Sequence, residues 1–326
     1  MGETVSSLGE FGCIEAVCRD LIYRPELVRL GAGDDGAVYV TPPGTDEVIS
    51  TDTMVEGLHF TAETMSPRDV GWKLCAANFS DMAAMGAEPA QLVISAALPK
   101  DLPFAWLTAC YDGVRALCRK YRVNLLGGDM TGSPGGVILT AAVTGFLPSG
   151  TAVPRSGARP GDLLALTGTV GDSAAGLAAL LRGRGGDFPA VTERHQRPLP
   201  HVEAGRALRE AGAHALDDIT DGLASEANEI AKASGVTLVI DADRVPLSEE
   251  TRRAAEAFGE DPLRWALTGG EDYALLAAAP EDVLCRAAET TPLTVIGRVE
   301  AGGPAVFLER AGRRTPLPRA GYDHFR

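Results

Sequence analysis

The chain has 326 residues and an acidic balance, with 30 basic against 44 acidic side chains and a formal net charge of −14. This charge argues against nucleic acid and anionic membranes as partners, because both are bound through clustered Lys and Arg. No apolar run reaches the roughly 18–20 residues that span a bilayer, and the first residues lack the apolar segment of a signal peptide. The length suits two domains of roughly 150 residues each.

The six cysteines form no Cys-x-x-Cys pair and no spacing typical of a zinc site. In a chain of this size they are expected to be free thiols that pack as small hydrophobic residues in a reducing compartment. The sequence therefore predicts a cytoplasmic protein.

Apolar runs of strand length alternate with amphipathic segments of helix length, which predicts an α/β or α+β fold. In the first half, strands are predicted over 47–52, 92–98, 123–128 and 137–147, and helices over 67–85 and 103–121. The first of these helices is expected to begin with Ser66 as its cap and Pro67 at its first position, and to stop at Gly86.

The segment 148–161 is rich in Pro, Gly and Ser, which predicts a boundary between a domain 1–148 and a domain 149–326. The apolar segment LLALTGT begins the second domain. Helices are predicted there over 172–182, 200–211, 221–234 and 248–258, and strands over 236–241, 273–278, 293–299 and 304–309. His195 lies in a segment that we interpret as a polar loop, while Asp172 and Ser173 are typical of helix caps.

Acidic residues recur beside Gly, Ser and Thr, mostly where predicted strands end. The motifs are GAGDDG (31–36), STDT (50–53), NFSD (78–81), GGDM (127–130), LDDITDG (216–222) and GGEDY (269–273). Small neighbours let the backbone approach a ligand closely. For a single motif, an Asp that caps a helix or braces a turn is the simpler interpretation, but six motifs of the same composition favour a ligand site.

Such a set of carboxylates needs a counter-charge. Two carboxylates ~4 Å apart repel by about 4 kcal/mol at an effective dielectric constant near 20, and the chain has only four lysines. Hard oxygen ligands favour Mg²⁺, which is usually held by one or two carboxylates together with phosphate oxygens. The motifs therefore predict a magnesium-dependent phosphate site.

The usual nucleotide-binding loops do not explain this site. GAGDDG satisfies the GxGxxG pattern, but two aspartates would face the pyrophosphate and the following AVYV is typical of a strand instead of a helix. No Gly-Lys pair occurs, so the chain has no Walker A motif. A nucleotide would have to be held by metal ions, backbone amides and arginine.

Several segments together resemble the successive motifs of the thiamine-monophosphate kinase family, from about residue 8 to the C-terminal GYDHF. They are STDTMVEGLHF, KLCAANFSDMAAMGAEP, GGDMTG, TGTVGDSAAGL, RHQRP, DDITDGLASEANEI and GGEDYALL. The resemblance implies a two-domain fold like that of aminoimidazole ribonucleotide synthetase. The N-terminal domain would bind ATP and Mg²⁺ and form a homodimer through its sheet, and an α/β domain would follow.

The resemblance also implies the site residues. The implied magnesium ligands are Asp35, Ser50, Thr51, Asp52, Asp81, Asp129, Asp218 and Asp221. The implied nucleotide contacts are Tyr111, Gly128, Asp129, Arg155 and Thr220. Thiamine monophosphate would contact His59, Glu271 and Tyr322, and the implied catalytic groups are Asp52, Asp129 and Arg155. The chain departs from the usual pattern at Gly36, Met130, Thr220 and Glu226, where Ala, Thr, Ser and Asp are common.

The implied reaction is the ATP-dependent phosphorylation of thiamine monophosphate to thiamine diphosphate. A phosphate monoester has its second pKa near 6, so the attacking oxygen is already ionised at neutral pH and no general base is required. Mg²⁺ and Arg155 would neutralise the two polyanions and align them. This chemistry predicts direct in-line transfer of the γ-phosphoryl group.

Other functions remain open at this point. A related enzyme of the same superfamily would act on a formyl, carbamoyl or selenide substrate, although the chain lacks the reactive cysteines that selenophosphate synthetase and the hydrogenase maturation protein require. A non-catalytic ATP or magnesium sensor is the alternative from a different class. His59, Asp81, Arg155 and Tyr322 each also have an ordinary structural interpretation, as packing or solvated side chains.

Overall fold

The computed structural model of the protein describes residues 3–19 and 21–322, which divide into two units. The first unit takes in the chain up to residue 82 and residues 88–150, and the second takes in residues 83–87 and the chain from residue 151 onward. In the described part of the chain, no helix is both long enough and apolar enough to cross a membrane.

The first unit consists of a four-stranded sheet, a short two-stranded sheet and helices. The helices are α1 (Val5–Val17), α2 (Pro67–Ala84) and α3 (Phe104–Tyr121), and the strands are β1 (Val28–Leu30), β2 (Val38–Tyr39), β3 (Thr45–Val55), β4 (Glu88–Pro99), β5 (Asn124–Ser133) and β6 (Ile138–Pro148). The four-stranded sheet has the order β3-β6-β4-β5, in which only β4 and β5 run parallel. Its two edges are therefore β3 and β5.

The two faces of this sheet differ in burial. Leu92, Ile94 and Leu139 lie on a covered face and are at most 2% exposed, as the alternation of side chains along a strand requires. The opposite face carries Ile49, which is 73% exposed, and Thr51. The first unit thus exposes one sheet face at β3, whereas the edge strand β5 is partly covered, since the Leu125 N–H donates to Leu21 O at 2.9 Å.

The second unit is built on a seven-stranded sheet with the order β13-β12-β9-β11-β7-β10-β8, antiparallel except for the parallel pair β12 and β9. The strands are β7 (Leu163–Leu166), β8 (Ala215–Asp218), β9 (Thr237–Asp241), β10 (Leu275–Ala279), β11 (Thr294–Glu300), β12 (Ala305–Arg310) and β13 (Arg313–Pro316). The helices are α4 (Asp172–Leu181), α5 (Pro189–Gln196), α6 (Val202–Ala211), α7 (Leu223–Ser234), α8 (Glu249–Phe258), α9 (Pro262–Thr268) and α10 (Glu281–Ala288). The apolar face of α7 packs on the sheet, with Ile230 among Leu164, Leu238 and Leu276.

Each helix and strand predicted from the sequence is present, and β3, β4 and β5 are longer than predicted. The cap is also confirmed, because the Ser66 hydroxyl accepts the Asp69 N–H while the Asp69 carboxylate accepts the Ser66 N–H. Among the elements that the sequence analysis missed are β1, β8, β13, α5, α9 and α10.

Two local predictions were wrong. His195 does not lie in a polar loop: it lies on α5, is 2% exposed, and shares the buried side of that helix with Val191, four residues earlier. The cysteines are free, as expected, but Cys285 is exposed and Cys18 is only partly buried, because both lie at the solvent side of helical segments.

The sheet contains one close backbone approach that excludes a side chain. A Cβ atom on Gly128 of β5 would lie 1.7 Å from the carbonyl oxygen of Ile94 on β4. The strands are also irregularly paired just before this point, where the register shifts between Leu92 and Val93. Gly128 thereby sets the path of the backbone that carries Asp129.

We expect Gly128→Ala to lower the free energy of unfolding by about 2 kcal/mol or more, because either β4 or β5 must move to admit the methyl group. Urea unfolding measures the effect. Gly132→Ala is the matched control, since it lies on the same strand with no atom within 4 Å of the added Cβ. Equal losses for the two variants would contradict the close approach.

Candidate active site

In the first unit, α2 brings a carboxylate to the covered side of β3. Ser50, Asp52 and Met54 alternate along β3 on the covered face, and the Ser50 hydroxyl donates to Asp81 Oδ2 on α2 at 2.5 Å. Asp52 also contacts the Asp81 carboxyl group. Ser50, Asp52 and Asp81 thus form one oxygen-rich group, and we call its two acids, Asp52 and Asp81, the strand–helix carboxyl pair.

The strand–helix carboxyl pair places like charges together with little solvent. Burial and, after it, the neighbouring Asp81 raise the pKa of Asp52 to about 7. In the metal-free protein, part of the charge is therefore neutralised by a proton. A divalent cation would supply the same neutralisation while leaving both carboxylates ionised.

Two further predicted ligands of the first unit, Asp35 and Asp129, lie apart from the strand–helix carboxyl pair. Asp129 is exposed and lies on β5, whereas Asp52 lies on β3, so the two strands that carry them are opposite edges of the sheet. Asp35 is exposed in the loop between β1 and β2, and Ala32 of this loop lies beside Gly127, 3.8 Å from where a Cβ on that glycine would be. The loop with Asp35 is thus near Asp129, not near the strand–helix carboxyl pair.

The distance between these two groups follows from the strand order. Asp52 pairs with Ala141, Ala141 with Ile94, and Ile94 with Gly128, so Asp52 and Asp129 are at nearly the same level of the sheet. Three strand spacings of ~4.8 Å separate β3 from β5, which is about 14 Å. One Mg²⁺ ion, with ligand distances near 2.1 Å, does not bridge that gap within one chain.

In the second unit, the end of β8 and the start of α7 hold a further group of acids. Asp217 and Asp218 close β8 and are each 1% exposed. Arg155 Nε lies 2.8 Å from Asp217 Oδ1, and burial, opposed by Arg155, raises the pKa of Asp217 to about 7. The sequence analysis missed Asp217, the carboxylate that pairs with the predicted phosphate-binding Arg155.

Glu226 holds the loop that follows β8. Its Oε1 accepts the Asp221 N–H at 3.2 Å and lies 3.5 Å from the Thr220 hydroxyl, which donates to it. Burial and the nearby Asp217 raise the pKa of Glu226 to about 9. At neutral pH the group is therefore uncharged, which lets it lie against Thr220 and Asp221 without adding another negative charge.

The GGEDY segment interlocks with this loop. The Glu271 N–H donates to Thr220 O at 2.8 Å and the Tyr273 N–H donates to Ile219 O at 3.0 Å, while a Cβ on Gly270 would lie 1.9 Å from Thr220 O. Glu271 and Tyr273 both have the left-handed backbone conformation, with φ of 63° and 53°. Conformations of this kind cost of order 1–3 kcal/mol each and concentrate at functional sites.

The C-terminal segment passes the same loop. A Cβ on Gly321 would lie 2.4 Å from the carbonyl oxygen of Asp221, and the next residue, Tyr322, is 49% exposed. The second unit therefore places Thr220, Asp221, Glu271 and Tyr322, all of them predicted site residues, on neighbouring segments.

Three remaining predicted residues are found in ordinary structural surroundings. His59 Nδ1 accepts the Val55 N–H at 3.0 Å, which leaves the ring proton on Nε2. Thr51 is exposed and its hydroxyl donates to Ala141 O at 2.8 Å. Tyr111 is 3% exposed on α3, where burial raises the pKa of its hydroxyl group, so this ring belongs to the core.

The acids are grouped in small sets. Over residues 3–19 and 21–322, no group of three or more His, Cys, Asp and Glu side chains is placed to hold a metal ion by itself. Pairs such as Asp52 and Asp81 fit the usual protein share of a Mg²⁺ site, where phosphate and water oxygens complete the coordination.

Two family models match the chain. The model for the N-terminal domain of AIR synthase related proteins covers residues 33–147, and the model for the C-terminal domain of the same proteins covers residues 159–309. The two-domain fold expected from the sequence is thereby confirmed.

The chain is 42% identical to the thiamine-monophosphate kinase of Escherichia coli strain K12 over 310 residues, which cover 91% of this chain and 92% of the relative. The corresponding values for Bacillus subtilis strain 168 are 36% over 330 residues, with 98% and 100% covered. The crystal structure of the enzyme from Stenotrophomonas maltophilia K279a matches with a TM-score of 0.82 at 34% identity, covering 93% of this chain and 97% of that one. The chain belongs to the thiamine-monophosphate kinase family.

A further solved structure, AaThiL complexed with AMPPCP and TMP, matches with a TM-score of 0.79 at 33% identity and covers all of both chains. The hydrogenase maturation protein HypE in complex with ATP matches with a TM-score of 0.74 at 22% identity, covering 95% of each chain, which shows a shared fold alone.

The strand–helix carboxyl pair makes the stability of the metal-free protein depend on pH. Because the pKa of Asp52 is about 7 in the folded protein and near 3.9 when unfolded, this contribution is fully present below about pH 4 and is lost as the pH rises through 7. We expect the wild type to lose roughly 2 kcal/mol relative to Asp52→Asn between pH 5 and pH 8, as measured by urea unfolding with EDTA.

Asp46→Asn is the control for this measurement. Asp46 lies on the same strand, is exposed, and has its pKa lowered by the Gly150 N–H that it accepts at 2.8 Å. It is ionised throughout the window, so its effect on stability is expected to be the same at pH 5 and pH 8. A stability difference between wild type and Asp52→Asn that does not change with pH would contradict the assignment.

Proposed function

We propose that the protein transfers the γ-phosphoryl group of ATP to thiamine monophosphate and forms thiamine diphosphate with the help of Mg²⁺. The observation that carries this proposal is the full-length match to AaThiL complexed with AMPPCP and TMP. The acid-rich motifs of this chain support it, because transfer between two polyphosphates needs cations at a site poor in lysine. The free thiols support a reducing, cytoplasmic location.

Mg²⁺ would be held by hard oxygen ligands that the motifs supply. In the first unit these are Ser50, Asp52 and Asp81 as one group, and Asp35 and Asp129 as another. In the second unit they are Asp218 and Asp221. The exposed Thr51 of the first unit is kept as a ligand because the resemblance implies it. When bound, Mg²⁺ supplies charge neutralisation and alignment of the phosphates.

The residues of the chain then have separate tasks. Arg155, which is 55% exposed while paired with Asp217, is available to neutralise a phosphate oxygen. Gly128 and Asp129 on β5, and Thr220 on the loop held by Glu226, are the proposed nucleotide contacts. Tyr111 is left out of this set because its ring is buried in the core.

Substrate recognition is assigned to three side chains of different chemistry. His59 accepts the Val55 N–H at Nδ1, so its ring proton lies on Nε2, and this N–H is the group assigned to the phosphate of thiamine monophosphate. Glu271 complements the cationic thiazolium or the amino group of the pyrimidine, and Tyr322 offers an exposed ring. Since the acceptor phosphate is ionised, direct in-line transfer needs no catalytic base.

We also propose a homodimer in which the two copies meet through the first unit. The exposed sheet face with Ile49 and the long edge strand β3 support this, because a second copy would cover that face and pair that edge. The separation of about 14 Å between Asp52 and Asp129 supports it further: if both serve one phosphate group, they come from different copies.

The first experiment incubates the protein with ATP, Mg²⁺ and thiamine monophosphate. Thiamine diphosphate and ADP are expected in equal amounts, with inversion at a chiral γ-phosphate. Asp52→Ala is expected to reduce kcat by at least about 100-fold, since one partner of the strand–helix carboxyl pair is lost. Asp46→Ala, an exposed change on the same strand, should keep wild-type turnover; Asp52→Ala activity within a few-fold of wild type would overturn the metal assignment.

The second experiment tests the shared site with two inactive variants, Asp52→Ala and Asp129→Ala, co-expressed with different tags. If one site takes Asp52 from one copy and Asp129 from the other, each mixed dimer contains one intact site. The purified mixed dimer is then expected to recover about half of the wild-type activity, with each site counted as independent.

The matched control pairs Asp52→Ala with Asp81→Ala. Both residues belong to the strand–helix carboxyl pair of the same chain, so every site in that mixed dimer carries one lesion and no activity should return. Absence of recovery in the Asp52→Ala and Asp129→Ala mixture, or a monomer in sedimentation, would contradict the shared site.

A further inference from the structure

A buried histidine lies directly behind the carboxylate assigned to the substrate. His195 on α5 is 2% exposed, and its Nδ1 is 3.7 Å from Glu271 Oε2. The same nitrogen is 3.0 Å from the Ser173 hydroxyl at the start of α4. The side chain of Glu271 is itself 29% exposed, so it has one side toward solvent and one toward this histidine.

The surroundings hold the His195 ring in place. A Cβ on Gly176 of α4 would lie 2.2 Å from Val191 O and 2.9 Å from the Cβ of His195, so α4 and α5 approach each other closely at this point. A ring packed in that manner has little rotamer freedom. The position of its Nδ1 is therefore fixed, and a carboxylate that contacts it is restricted in orientation.

The backbone next to Glu271 is fixed to the same helix. The Asp272 carboxylate accepts the Gly171 N–H at 2.6 Å and the Ser173 N–H at 3.0 Å. Glu271 has the left-handed backbone conformation and donates its N–H to Thr220 O. The segment that carries Glu271 is thus attached to α4 on one side and to the Thr220 loop on the other.

We infer that His195 is a positioning residue for substrate recognition: its ring, which Nδ1 ties to the Ser173 hydroxyl at 3.0 Å, lies 3.7 Å from the Glu271 carboxylate and orients it toward thiamine monophosphate. The inference rests on the proposed function, since it takes Glu271 as a substrate contact. His195 itself does not touch the substrate in this proposal. It acts through Glu271, and so its loss should weaken recognition of thiamine monophosphate while ATP recognition is kept.

The test uses variants that differ in which ring nitrogen they imitate. His195→Asn places an amide nitrogen near the position of Nδ1, His195→Gln places one near Nε2, and His195→Leu fills the space without a polar group. We expect KM for thiamine monophosphate to rise about tenfold in the Leu and Gln variants and to stay within about threefold in the Asn variant. KM for ATP is expected to stay within about twofold in all three.

A double-mutant cycle shows whether the effect passes through Glu271. In a Glu271→Gln background, where the carboxylate is already absent, His195→Leu should cause no further rise in KM for thiamine monophosphate. Additive effects would overturn the inference. If His195→Leu does not fold, Ser173→Ala and His195→Gln replace it in the cycle with the same criterion.

His214→Asn is the control for the loss of a half-buried histidine elsewhere in the second unit, where it contacts Asp162 at 3.0 Å. It is expected to leave both KM values within about twofold of wild type. A folded His195→Leu variant with unchanged KM for thiamine monophosphate would overturn the positioning role while the kinase function stands. A wild-type protein that forms no thiamine diphosphate would overturn both proposals.

Discussion

The contact between Asp52 and Asp81 is the constraint on which the first unit's site depends. Two carboxyl groups share a poorly solvated position against Ser50, and this arrangement is tolerated only when a proton or a cation removes part of the negative charge. Two acids folded together in this manner suit the divalent ion of the proposed site, because a bound cation would remove the repulsion between them.

The second unit also holds acids close together, but their charge is reduced in a different way. Two of its acids are neutralised from within, since Asp217 pairs with Arg155 and Glu226 has its pKa raised to about 9. The loop that carries Thr220 and Asp221 is fixed by backbone hydrogen bonds to the GGEDY segment. In the proposed site, the first unit therefore leaves its charge to be neutralised by a bound ion, while the second unit restricts how much charge its loop carries.

Much of this organisation could be predicted from the sequence, and the gaps have physical causes. Strands and helices with a clear apolar period were found, as were the acid motifs. The strand β8 was missed because it ends in Asp217 and Asp218, residues that rarely occur buried in strands and are stable there only with partners distant in sequence. The helix α5 was missed because PAVTERHQ has few apolar residues, and His195 supplies part of its buried face.

The left-handed conformation of Glu271 has a consequence for the energetics of ligand binding. Its backbone torsions, together with the hydrogen bond from its N–H to Thr220, are imposed when the chain folds. The conformational entropy of this carboxylate's backbone is accordingly lost before any ligand arrives, and association does not have to supply it again. The recognition proposed for this position is thus pre-organised, at the expense of the stability of the native state.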